Sequence, residues 1–97
     1  MMNLENKIAI VTGGGSGMGA ATVRALISAG SKVTLVDIDG KAASMVAKET
    51  GARAVIGDVS DAAFCNQLTA NTAADSGRID ILVNCAGIIV RADAQGT

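Results

Sequence analysis

The chain has 97 residues, of which 49% are apolar and 18% charged, with a net charge of −1. That length holds a single domain, 1–97, and that much apolar material excludes a disordered chain. His, Tyr, Trp and Pro are all absent, which removes Ser-His-Asp and Cys-His catalysis, imidazole metal sites and a tyrosine general acid from these residues.

Eight basic and nine acidic residues are spread without runs, so no stripe marks a nucleic-acid or anionic-membrane surface. The apolar runs fall far short of the roughly 20 residues that span a bilayer. The opening MMNLENK lacks the charged-then-apolar pattern of a signal peptide, and a cytoplasmic location is expected. Cys65 and Cys85 have no metal-type spacing and are expected to stay reduced.

In chain order, Lys7–Val11 is a short apolar run closed by Thr12 and a glycine cluster. Residues 17–29 carry Val23, Leu26, Ile27 and Gly30 at 0, +3, +4 and +7, the spacing of one helical face. Lys32–Val36 is a second run, ended by Asp37. Residues 40–50, with Met45 and Val46, read as a helix stopped by Gly51. Arg53–Ile56 ends at Gly57-Asp58, and Ser60 and Asp61 are candidate caps for a helix over 61–76 that stops at Gly77. The apolar stripe of that helix is thin, consisting of Phe64, Leu68 and Thr72. Ile79–Val83 is a fourth run ended by Asn84, and Ile88–Thr97 reads as loop or the start of a further helix.

Short apolar runs bounded by Gly, Asp or Asn suit strands buried on both faces of a parallel sheet. Alternation with helices predicts βαβ units, and right-handed crossovers put the first two helices on one face. A third helix returning across the first strand gives the order 3-2-1-4, with helices on both faces.

The segment Thr12-Gly13-Gly14-Gly15-Ser16-Gly17-Met18-Gly19 lies between the first strand and the first helix. Glycines there let a backbone approach a ligand, and the free N–H groups of a helix start favour a pyrophosphate. Gly15-x-Gly17-x-x-Ala20 matches the dinucleotide fingerprint, whereas Ala20 stands where a Walker loop needs Lys. The plain alternative is a tight turn. Asp37 lies 20 residues after Gly17, where an acidic side chain accepts from the adenosine ribose. The same charge would repel a 2′-phosphate, which favours NAD over NADP. A solvated strand-end Asp is the alternative. Asp39 reads as a cap of the second helix, and Met18 and Met45 as core filler.

These residues resemble the N-terminal half of a short-chain dehydrogenase/reductase, a partial Rossmann fold. Thr12-Gly13-x-x-x-Gly17-x-Gly19 is similar to that family's cofactor turn, with Gly15, Ser16 and Met18 inside it. Met18 replaces the usual Ile and keeps its backbone N–H available. Asp37 resembles the ribose-binding acid, and Asp58-Val59 the pair that contacts adenine; Asp58 as a cap of the third helix is an equal alternative. Asn84-Cys85-Ala86-Gly87 resembles the family's Asn-Asn-Ala-Gly segment, which braces the sheet beside the nicotinamide ribose.

The resemblance implies hydride transfer between a nicotinamide and a carbonyl or alcohol carbon, with Asn84, Ala86 and Gly87 in the cofactor half. It also implies a catalytic Ser and a Tyr-x-x-x-Lys, for which these 97 residues hold no counterpart. Little turnover is therefore expected of this chain alone. The alternative is a non-catalytic nucleotide-binding or assembly module. The fourth strand would leave an open sheet edge, so a homo-oligomer is expected through it.

Overall fold

A computed structural model describes residues 4–15 and 17–85. The elements are β1 (Ile8–Thr12), α1 (Gly17–Ser28), β2 (Lys32–Asp37), α2 (Gly40–Thr50), β3 (Arg53–Ile56), α3 (Ala62–Ser76) and β4 (Ile81–Asn84). The four strands form one parallel sheet in the order β3-β2-β1-β4, as expected. Val11 is in register with Leu35 on one side and Val83 on the other.

β1 is central, and all five of its residues are buried. Alternation along it divides the interior into two. Ala9 and Val11 join Val23 and Leu26 of α1, Val33 and Leu35 of β2, and Ala43 and Val46 of α2. On the opposite face Ile10 and Val36 meet Leu68 of α3, with Phe64, Val55 and Ile79 partly buried around them. The first core is wide and the second narrow, in keeping with the thin stripe of α3.

The helix ends have local causes. Asp39 is extended and accepts from the N–H groups of Lys41 and Ala42, which caps α2. Asp61 does the same for α3 through Ala63 and Phe64. Gly51 and Gly77 close these helices at φ +84° and +81°, each returning its N–H to a carbonyl four residues earlier.

Four expectations need correction. Asp58 does not cap α3; its carboxylate turns back onto Ser60, and Asp61 is the cap. Met18 and Met45 are 79% and 64% exposed and fill no core, because the buried faces of α1 and α2 run through Ala20, Val23 and Leu26 and through Ala43 and Val46. Gly30 lies beyond the end of α1 in a left-handed turn, outside the helical stripe. The fourth strand begins at Ile81 instead of Ile79, because the Asp80 carboxylate takes the Ile8 N–H that a strand carbonyl would otherwise accept. The segment from Ile88 onward lies outside the described residues.

Candidate functional site

The carboxyl ends of β1, β2, β3 and β4 open on one groove of about 650 Å³. This is where ligands bind in doubly wound sheets, beside the point at which strand order reverses. Here the reversal falls at β1, between β2 and β4. The volume lies in the usual range of small-ligand sites. Gly13, Asp37, Asp58, Val59 and Asn84, all singled out in the sequence, line this groove together.

The glycine turn is built by close approach. Gly13 and Gly17 adopt φ +68° and +53°, which side chains disfavour. Gly14 donates its N–H to the Val36 carbonyl at 3.1 Å, and a Cβ on it would lie 2.7 Å from the Leu35 Cβ. A Cβ on Gly19 would collide with the Gly13 carbonyl oxygen, so the first turn of α1 can sit against the loop only without one. A Cβ on Gly17 would meet nothing within 4 Å, which leaves its backbone open to an incoming group. No acidic residue occupies the first turn of α1, so its positive dipole end is free to act on an anion.

Asp37 closes β2 beside this turn. Its Oδ2 accepts the Gly15 N–H at 2.9 Å and its Oδ1 the Asp39 N–H at 3.0 Å. A carboxylate offers about four acceptor positions, so two remain for hydroxyl donors. Asp58 accepts both the hydroxyl and the backbone N–H of Ser60, at 2.7 and 2.9 Å. The Ser60 hydroxyl first, and its N–H second, hold the Asp58 carboxyl below the ordinary carboxylate range. At the end of β4 the Thr12 hydroxyl donates to Asn84 Oδ1 at 2.8 Å, and the Cys85 N–H donates to the Thr12 carbonyl at 2.9 Å. These bonds fix the β1 and β4 ends relative to each other.

Gly15, Gly17, Met18 and Gly19 lie at the turn and the start of α1, but not in the groove wall. Ser16, Ala86 and Gly87 lie outside the described residues. Thr12, the first residue of the glycine turn, also lines the groove, as do Ile38 and Cys65, which no sequence motif marks as site residues. Ile38 carried a usable signal, being an apolar residue placed directly after the strand-end acid. Cys65 donates its Sγ–H to the Val59 carbonyl at 3.1 Å, and both cysteines are free.

A model of the short chain dehydrogenase family matches residues 7–96. The chain belongs to that family. It is 39% identical over 97 residues to the D-threitol dehydrogenase of Mycolicibacterium smegmatis, covering 95% of this chain and 37% of that protein. It is 37% identical over 94 residues to the 3-beta-hydroxysteroid dehydrogenase of Comamonas testosteroni, covering 95% and 37%. Among solved structures it is similar to a 3-ketoacyl-(acyl-carrier-protein) reductase from Brucella melitensis complexed with NADH. That similarity has a TM-score of 0.76 and 37% identity, over 81% of this chain and 33% of that one. The chain thus spans little more than a third of the relatives it matches.

Family and fold identify these residues as the portion of a short chain dehydrogenase fold that carries the glycine turn and the first four parallel strands. They do not favour a non-catalytic module. Among the described residues no helix is long and apolar enough to cross a membrane.

Proposed function

We propose that this chain binds NAD in preference to NADP and holds it for hydride exchange with a carbonyl or alcohol carbon. The bound dinucleotide supplies the hydride chemistry; the residues described here bind and orient. Gly13, Gly17 and Gly19 keep the turn clear of side chains, and Ser16 and Met18 are proposed to bind the diphosphate, with the α1 dipole behind it. Asp37 accepts from the adenosine ribose hydroxyls. Asp58 and Val59 border the adenine, and Asn84, Ala86 and Gly87 run beside the nicotinamide ribose. The groups that move the substrate proton are proposed to lie in the part of the relatives that this chain does not match, since it holds no Tyr.

The observation that carries the NAD preference is the Asp37 carboxylate, placed in the groove wall beside the glycine turn. A 2′-phosphate there would face like charge, and none of Gly15, Ile38 and Asp39 offers a cation. Calorimetric titration of the 97-residue chain with NAD and NADP tests this. NAD is expected to bind more tightly, and Asp37→Ala to weaken NAD by about tenfold or more, the scale of a lost bond to a charged acceptor. Equal affinity for both dinucleotides in the unmutated chain would refute the preference.

Self-association is proposed as well, through the outer edge of β4. No described strand pairs with that edge, and Leu82 on β4 is 70% exposed. An open edge with an apolar residue is a template for another chain. The two free thiols agree with a reducing compartment, and the cytoplasm is the proposed location.

A further inference from the structure

The segment between β3 and α3 carries Asp58 and Val59, and the first turn of α3 holds it at two points. Gly57 opens the segment and donates its N–H to the Asp37 carbonyl at 3.1 Å. The Phe64 ring lies against Gly57, and the neighbouring Cys65 donates its Sγ–H to the Val59 carbonyl at 3.1 Å. Gly57, Asp58 and Val59 line the groove, whereas Phe64 does not.

The φ of Gly57 is not left-handed, so space calls for glycine here. A Cβ would collide with Cε1 and Cζ of the Phe64 ring and lie 2.7 Å from its Cδ1. All three atoms nearest to that Cβ belong to the ring. The ring thus takes the volume that a side chain at 57 would need. That volume can be filled from either position, and this chain fills it from α3. The ring is anchored, packing with Val59 against Ile10, Val36 and Leu68. It also has room to leave, because a cleft of about 170 Å³ lies beside it, bordered by Val55, Gln67 and Leu68. A methyl group added at 57 displaces the ring before it displaces the strand.

We infer that Phe64 is a positioning residue for the adenine end of the groove and touches no part of the dinucleotide. Its ring, seated on Gly57, fixes the backbone that carries Asp58 and Val59, so that less ordering is left for the moment of binding. This role rests on the proposed NAD-binding function and adds a residue outside the groove through which affinity is set.

Phe64 is the only aromatic residue of the chain, so its ring protons are assigned without overlap. In the cofactor-free 97-residue chain they should show nuclear Overhauser contacts to the Gly57 α-protons. Phe64→Leu keeps an apolar side chain and removes the outer ring atoms. It should stay folded by circular dichroism and speed hydrogen exchange at the Gly57 amide more than at Gly14, whose N–H goes to the Val36 carbonyl. In titrations, Phe64→Leu and Gly57→Ala should each weaken NAD by about three- to tenfold, the scale of ordering part of a loop on binding. Combined, they should weaken it by less than the product of the two factors, because the methyl then enters space the ring has left.

Unchanged NAD affinity in Phe64→Leu would overturn the inference, and so would losses that multiply in the double variant. Missing Overhauser contacts, or a Gly57 amide that exchanges no faster, would overturn it without reference to any cofactor. An unfolded Phe64→Leu chain would do the same, since the ring would then serve the core. If the unmutated chain binds no NAD, the functional reading falls and the cofactor role of Phe64 with it; intact Overhauser contacts would then place the fault in that reading.

Discussion

Ile8 and Asp80 exchange two hydrogen bonds across the base of the sheet: the Ile8 N–H donates to Asp80 Oδ2 at 2.8 Å, and the Asp80 N–H donates to the Ile8 carbonyl at 2.9 Å. A side chain thus completes the first rung between β1 and β4. Arg78 reinforces it, with Nε donating to the same carboxylate oxygen at 2.8 Å and a second nitrogen to the Asn6 carbonyl at 3.0 Å. The Ile8 N–H first, and the Arg78 guanidinium second, hold the Asp80 carboxyl below the ordinary carboxylate range. Because the folded state favours the ionised form, the associated stability is fully present above the unfolded pKa of about 3.9 and is lost as pH falls through the lower folded value. Asp80→Asn is expected to lower the urea midpoint at pH 7. Its thermal midpoint should also fall less than that of the unmutated chain as pH drops below about 4. Parallel pH profiles for the two proteins would contradict this.

The acidic residues around α3 divide sharply in role. Asp61→Ala removes an N-cap and should cost about 1 kcal/mol, as should Asp39→Ala at α2. Asp58→Ala removes two exposed turn bonds from Ser60 and no cap, and should lower the urea midpoint less than Asp61→Ala does. Chemical denaturation of the three variants checks this; a larger effect at position 58 than at 61 would be inconsistent with the observed cap.

Gly17 and Gly19 should respond differently to the same substitution. Gly17→Ala meets no neighbour and bears only its left-handed backbone, a cost of about 1–2 kcal/mol. Gly19→Ala drives a methyl group into the Gly13 carbonyl and should cost about 3 kcal/mol or more. Thermal unfolding ranks them. If the proposed diphosphate contact is right, Gly17→Ala also loses NAD affinity beyond what its modest instability explains.

Association through β4 makes Leu82 a point of control. Leu82→Lys places a charge at the exposed edge, a common guard against strand addition, and should shift the chain toward monomer in sedimentation velocity. An unmutated chain that remains monomeric at high concentration would dispose of the edge contact.

Much of this fold is written locally. Asp37, Gly51, Gly77 and Asn84 end their elements where turn-forming residues follow apolar runs, and the strand order follows from crossover handedness. The groove residues Gly13, Asp37, Asp58, Val59 and Asn84 were legible because strand-end positions in a parallel sheet converge at one end. Two kinds of information were not local. The Asp80 bond joins residues 72 positions apart and leaves no pattern around either. Which of Asp58, Ser60 and Asp61 caps α3 depends on which backbone is extended at that point, and the structure gives this to Asp61, at φ −89° and ψ 112°. Met18 and Met45 show the converse problem. An apolar side chain states what it would do if buried, not which way its helix is turned.

The central place of β1 also has a kinetic consequence. Its partner β2 follows after one helix, whereas β4 joins its other side only after three helices and two strands have been made. Closing the shorter loop costs less chain entropy, and local pairings form sooner than distant ones. During synthesis, β1, α1, β2, α2 and β3 can assemble around the wide core before β4 has left the ribosome. The groove then acquires its last wall when Asn84 reaches Thr12.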